Sequence, residues 1–297
     1  MKTGISKHLK LLLKIAVTAA ALYFVFSRIE GKKLMEIYGN LSVLPLAAAC
    51  AMFVFSKLIA AFRLNIFLRF SGISISEWAN IKLYLLGMFY NVFLPGGVSG
   101  DGYKSYLLKK KFNLSIGRIL SAVFVDRISG VLALFILCVI LFYFSDFAVY
   151  LRPYIWGLIP LSYAIFYLVT RRFWKSFIGI VVRTSLLSLA VQMTQLACAW
   201  FIMLSLDIAG QEARYLLIFL ISSIVAILPI TVGGVGSREV TFFLGADILG
   251  LDVNLSISLS LMFYFITLLV SLSGAVFVFK TPLEDKWGRC PENWKKM

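Results

Sequence analysis

The chain has 297 residues, 61% of them hydrophobic and 14% charged, with a mean hydropathy of +0.92, which excludes an ordinary soluble domain and points to a polytopic membrane protein. A formal charge of +15 would suggest nucleic acid in a soluble protein. Here the basic residues cluster in short loops, as membrane orientation and anionic headgroups require, so no nucleic-acid partner is expected.

A spanning helix needs about 20 mostly apolar residues. Lys2, Lys7, Lys10 and Lys14 precede an apolar run with no small-residue cleavage site after it, so residues 9–27 read as a retained first span. Residues 41–67 give the second, interrupted by Lys57 and Arg63; the long stem of Arg63 reads as snorkelling to an interface, whereas Lys57 lies deeper. Residues 79–95 are apolar and end in Leu94-Pro95-Gly96-Gly97-Val98-Ser99-Gly100-Asp101, followed by the short basic stretch 103–112. Further spans are expected at 119–144, 153–170, 180–206 and 254–279. Before the last of these, residues 214–230 run into a second break, Leu228-Pro229 and then Gly233-Gly234-Val235-Gly236-Ser237-Arg238-Glu239, and 238–251 is again apolar. The tail from Lys280 is too short to bury a core of its own.

The predicted fold is therefore an all-α polytopic membrane protein with about six full spans and two re-entrant or broken helical units. Residues 1–297 form one transmembrane domain, with repeats at about 41–145 and 180–280. Backbone that leaves the helix at membrane depth persists only where it lines a cavity or is buried in protein. Matching breaks in two halves point to a site between inverted repeats, as in many secondary transporters. If each unit returns to the face it entered from, the loops with Arg69, Lys104 with Lys109 to Lys111, Arg171 with Arg172 and Lys175, and Lys280 with Lys286 share the cytoplasmic side. Both termini then lie in the cytoplasm, in the inner or plasma membrane.

The candidate site residues follow from the breaks. Gly96, Gly97 and Gly100 allow close backbone approach, and free amides beside a helix starting near Asp101 make an anion site, with Lys104 one turn on. The alternative is that these glycines serve tight helix packing and Asp101 caps the helix. Gly233 and Gly234 repeat the pair, and Arg238 offers a planar fork for phosphate oxygens. Glu239 either orients that arginine, exchanges a proton or sits structurally in the first helical turn. Asp126 and Arg127 lie deep in a span, where a charge costs about 2.5–3.5 kcal/mol, so both should face protein. Being about 100° apart on the helix, they should pair elsewhere, Asp126 with Arg238 or Arg127 with Asp101. Arg118, nearer the cytoplasmic end, contacts a headgroup or obeys the orientation rule. Asn91, Gln192 and Gln195 line a polar path or bridge helices.

His8 is the single histidine, Cys50, Cys138 and Cys198 lie in apolar segments and Cys290 lies in the tail. That set gives neither a zinc spacing nor a disulfide framework, and no metal or other cofactor is expected.

Asn91-Val92-Phe93-Leu94-Pro95-Gly96-Gly97 with Asp101 and Lys104, then Asp126-Arg127 with Gly130, then Pro229 with Gly233-Gly234-Val235-Gly236 and Arg238-Glu239 resemble the motifs of the lysylphosphatidylglycerol synthase transmembrane family. The resemblance covers nearly the whole chain, and the ordered triple is more specific than any glycine pair. It implies a lipid-handling domain that translocates an anionic phospholipid or a polyprenyl-phosphate-linked lipid. Asp126 stands where the family more often has glutamate, Lys104 where it often has arginine, and Ser99 where it often has glycine. The soluble aminoacyltransferase domain of two-part members is lacking, so lipid aminoacylation is not expected. The alternative reading is a membrane-embedded transferase or accessory factor for glycolipid assembly, with Asp101, Asp126 or Glu239 as base. The expected partners are an anionic-headgroup lipid, and a second copy of the chain or a lipid-biosynthesis protein.

Overall fold

The computed structural model describes residues 12, 15–16, 18–25, 27, 31–94, 99–145, 149–228, 231, 234–279 and 282–283. These are almost entirely helical, and none lies in a strand. The protein is an all-α integral membrane protein. The segments Val43–Phe70, Ile116–Phe144, Pro153–Phe173, Lys175–Ser205 and Val253–Phe279 are long and apolar enough to span a bilayer. They coincide with five of the six expected spans. The sixth, residues 9–27, lies largely outside the described residues, although 18–25 are helical.

In chain order the principal helices are α1 (Gly31–Gly39), α2 (Val43–Phe70), α3 (Glu77–Phe93), α4 (Ser99–Phe112), α5 (Ile116–Phe144), α6 (Leu158–Phe173), α7 (Val181–Ser205), α8 (Glu212–Ile227), α9 (Ser237–Leu249) and α10 (Val253–Leu272). Local chemistry sets several of the boundaries. Helix α2 stops where Gly72 takes a φ of +85°, open only to a residue without a side chain, and the Ile73 amide folds back onto the Leu68 carbonyl. Ser76 then caps α3 by accepting from the Ala79 amide at 3.2 Å. At the other end of the chain Gly250, φ +67°, ends α9, and Asp252 caps α10 through the Leu255 amide at 2.9 Å.

The helices that flank each glycine break pair as a helical hairpin. In the first, α3 and α4 pack side by side in opposite directions: Gly100 lies against the Gly87 carbonyl, and the Lys104 stem crosses the face of Gly87. In the second, α8 and α9 do the same, with Gly234 against Ala226 near the tip and Gly245 against Ile218 further along. Arg214 holds the open end by donating to the Leu249 carbonyl at 3.1 Å and the Ser145 carbonyl at 3.0 Å.

The chain thus contains long helix, hairpin, long helix twice: α2, α3–α4, α5, and then α7, α8–α9, α10. The two first helices, α2 and α7, pack antiparallel at the centre. Ser42 and Ser205 exchange hydrogen bonds at one end, and Arg63 reaches Ser188 at 2.7 Å toward the other. Helix α5 packs on α8, the first arm of the other segment's hairpin, and α10 packs on α3 in the same relation. Helix α5 starts beside the open end of the first hairpin, separated from α4 by three residues, and ends at that of the second, where Arg214 donates to the Ser145 carbonyl, so the hairpins open toward opposite ends of α5.

Apolar burial divides into two main cores. One, around the second hairpin, gathers Phe53, Leu134, Cys198, Phe219, Phe242 and Phe263. The other, around the first hairpin, gathers Leu64, Phe67, Leu83, Leu108, Ile119 and Phe177. Three central helices pass from one core to the other, and each is polar between them: Lys57 and Arg63 on α2, Asp126 and Arg127 on α5, Ser188 and Gln192 on α7. On α2 the interval from Phe53 to Leu64 corresponds to about 16 Å of helix rise.

Candidate functional site

That polar layer encloses a cavity of about 290 Å³. Both hairpin tips reach it: Asn91, Asp101 and Lys104 from the first, Ser223, Ala226 and Arg238 from the second. The central helices complete the wall with Lys57, Arg63, Asp126, Arg127, Gln192 and Gln195. Five basic and two acidic side chains therefore face one small volume, a net charge of +3. Low-dielectric walls concentrate such a field and favour an anion within it.

The charges are held in two clusters. Asp101 is buried and carries two cations, Lys104 at 2.7 Å from its own helix and Arg127 from α5. Helix α4 can start there because Asn91, on the opposing arm, accepts from the Gly100 amide at 2.8 Å, and Gly100 has no side chain to strike the Gly87 carbonyl. The second cluster centres on Arg63, whose Nε meets Asp126 at 2.7 Å and whose Nη1 donates to Ser188, itself hydrogen-bonded to Ser129 at 2.6 Å. Gly130 lies beside the Arg63 guanidinium.

Two cations on the wall have no carboxylate partner among the described residues. Lys57 stands over the Phe53 ring at 4.4 Å. Arg238 lies over the Phe263 ring at 4.8 Å and the Phe219 ring at 5.6 Å; its guanidinium bonds to Ser223 at 3.4 Å, while its Nη1 is buried and finds no acceptor among the described residues. A buried guanidinium nitrogen without an acceptor is costly, and an anion in the cavity would supply one.

The expected pairing of Arg127 with Asp101 is present. Asp126 pairs with Arg63 rather than with Arg238, and this corrects the reading of Arg63: it does not snorkel but lies buried at 6% exposure, bridging α2, α5 and α7. Lys57, Asn91, Gln192 and Gln195 all line the cavity. Gly96, Gly97 and Gly233 lie outside the described residues, whereas Gly234 adopts a φ of +81° at the second tip. Arg118 is exposed and lies away from this cavity, in a surface pocket with Lys175. Glu239 does not line it either. Its carboxylate accepts from the Gly236 amide at 2.7 Å and from Ser260 at 3.0 Å, anchoring the start of α9 to α10. Each of the three carboxylates considered as a base is thus engaged: Asp101 and Asp126 by cations, Glu239 by an amide and a hydroxyl. Among the described residues no group of histidine, cysteine, aspartate and glutamate has metal-binding geometry.

Sequence reasoning ranked Arg63 too low because its distance from the end of α2 fitted snorkelling. A buried carboxylate in a span requires a cation from another helix, but which cation supplies it depends on how α2 packs on α5.

A family model described as the lysylphosphatidylglycerol synthase TM region matches residues 11–178 and 170–274. Neither a curated protein nor a solved structure matches the chain.

Proposed function

The chain belongs to the lysylphosphatidylglycerol synthase transmembrane family, and on that premise we propose that it is a lipid flippase whose cavity holds the phosphate of an anionic lipid during passage across the bilayer. The observation that carries this reading is Arg238 Nη1, buried and unpartnered where both hairpin tips meet in a cavity of net charge +3. Phospholipids and polyprenyl-phosphate-linked lipids share that phosphate chemistry. A volume of about 290 Å³ accommodates a headgroup and leaves the hydrocarbon in the membrane.

The two helix–hairpin–helix segments act as inverted repeats with re-entrant hairpins, and rocking of one against the other exposes the cavity to alternate sides. The face bearing Lys109 to Lys111, Arg171, Arg172 and Lys175 is cytoplasmic by charge, with both termini on it, and the membrane is the cell membrane.

The test is transport in reconstituted vesicles with fluorescently labelled phosphatidylglycerol. Arg238→Ala and Arg127→Ala abolish leaflet exchange while the protein stays folded. For lipid binding, loss of a charge-assisted hydrogen bond of about 1.5–3 kcal/mol lowers affinity by about 10–150-fold. Covalent change of the lipid with an unaltered leaflet distribution would overturn the proposal in favour of a transferase.

A further inference from the structure

Two more cavities lie in series with the central one. The nearer, of about 460 Å³, is a groove between α4 and α5 walled by Leu120, Phe124 and Trp174 and floored by Gly102 and Gly117. It shares Asp101, Val123 and Arg127 with the central cavity. The Asp101–Arg127 ion pair is therefore the partition between a basic chamber and an apolar one. Arg127 is suited to that position, with 31% of its side chain exposed against 8% for Asp101.

The groove in turn shares Ser121 and Trp174 with a polar pocket of about 510 Å³ that carries Arg118 and Lys175. That pocket sits where α5 begins and α6 ends, on the face with the densest positive charge. At the matching place on the second hairpin Glu239 bonds to Ser260, and Thr18 and Ala21 lie against Gly236.

We propose that this groove is a lateral portal for the hydrocarbon tail of the carried lipid, with the Asp101–Arg127 pair as its door. The inference rests on the flippase reading and adds to it the side of approach and the shape of the ligand. An anionic headgroup meets Arg118 and Lys175 at the surface and passes into the groove. Its phosphate then replaces the Asp101 carboxylate on Arg127. The tail stays among Leu120, Phe124 and Trp174 while the headgroup enters the basic chamber. Continuity of an apolar channel with a basic one, joined at a single ion pair, fits an amphiphile better than a free anion, which has no use for the groove.

The glycines supply the test, because a Cβ added at Gly102 or Gly117 meets no atom within 4 Å. Gly102→Trp and Gly117→Trp each place an indole ring at the groove, one from α4 and one from α5. Purified full-length protein in phosphatidylcholine nanodiscs is loaded with phosphatidylglycerol carrying a photoactivatable diazirine in its acyl chain, and adducts are mapped by mass spectrometry.

The expected result is labelling of residues 117–124 and Trp174 that falls at least about tenfold in both variants, since exclusion of even two methylene groups is worth that much. Labelling by phosphatidylcholine with the same diazirine should be several-fold weaker there, and glycerol phosphate, which has no tail, should bind both variants as it binds the unmodified protein. Equal labelling in the variants, or joint loss of glycerol phosphate binding, would overturn the portal. The two readings separate cleanly. Groove labelling without leaflet exchange leaves the portal and removes the flippase, while leaflet exchange with adducts elsewhere removes the portal alone.

Discussion

The Arg63–Asp126 pair allows a prediction whose size follows from the geometry. The two side chains are 7% and 11% exposed and meet at 2.7 Å. At an effective dielectric of about 20 their attraction is about 6 kcal/mol. Removing each ion from water costs several kcal/mol, so the intact pair is close to neutral relative to two apolar residues. Deleting one partner retains the other's desolvation without the attraction, a loss of about 3–5 kcal/mol. The two deletions are not equivalent. Asp126→Leu leaves Arg63 in a cavity whose net charge rises from +3 to +4, whereas Arg63→Leu leaves Asp126 where it falls to +2. Asp126→Leu should therefore be the more damaging, and the double variant should recover most of the loss.

Thermal unfolding of purified protein in detergent, followed by intrinsic fluorescence, measures this. The single variants should melt lower by on the order of 10 °C, using the scaling for soluble domains of comparable size. The double variant should return close to the parent midpoint while binding anionic lipid less well. If all three variants melt together, or Arg63→Leu is the less stable single variant, the argument from a buried pair in a positive cavity is refuted.

Two further outcomes are expected from the same preparation. Gly100→Ala places a methyl group on the Gly87 carbonyl and prevents the first hairpin from closing, whereas Gly102→Ala, two residues on, meets open space and changes stability by no more than about 1 kcal/mol; comparable melting of the two would remove the tight hairpin. Glu239→Gln retains an acceptor for Gly236 or Ser260 and should lower stability by about 1–3 kcal/mol without slowing lipid movement. A well-folded Glu239→Gln protein that fails in the vesicle assay would show that this carboxylate does more than anchor α9.

The broken helices were legible in the chain because a proline with a glycine pair inside an apolar run is incompatible with a continuous helix, whatever surrounds it. The depth of Asp126 and Arg127 was legible for a similar reason: a charge near the middle of a span has to face protein. Glu239 shows where such reasoning stops, since a residue beside Arg238 in the chain points about 100° away on the helix and is spent on the Gly236 amide and Ser260. The partner of Asp126 was not recoverable either, because Arg63 is 63 residues away and their meeting depends on how α2 packs on α5.

Composition and apolar run length by themselves determined that the protein is helical and crosses the membrane, since a bilayer leaves a segment no other way to satisfy its backbone. A proline with a glycine pair determined also that two apolar segments are interrupted. Only the tertiary structure decided that the two tips share one cavity, that Arg238 and Lys57 have no carboxylate partner among the described residues while Asp101 and Asp126 are claimed by other cations, and that an apolar groove adjoins that cavity on one side. The physical reason is range. Helix, break and span are set by neighbours within a few turns, whereas a charge's partner and a cavity's wall are set by helices that meet only after the chain has folded.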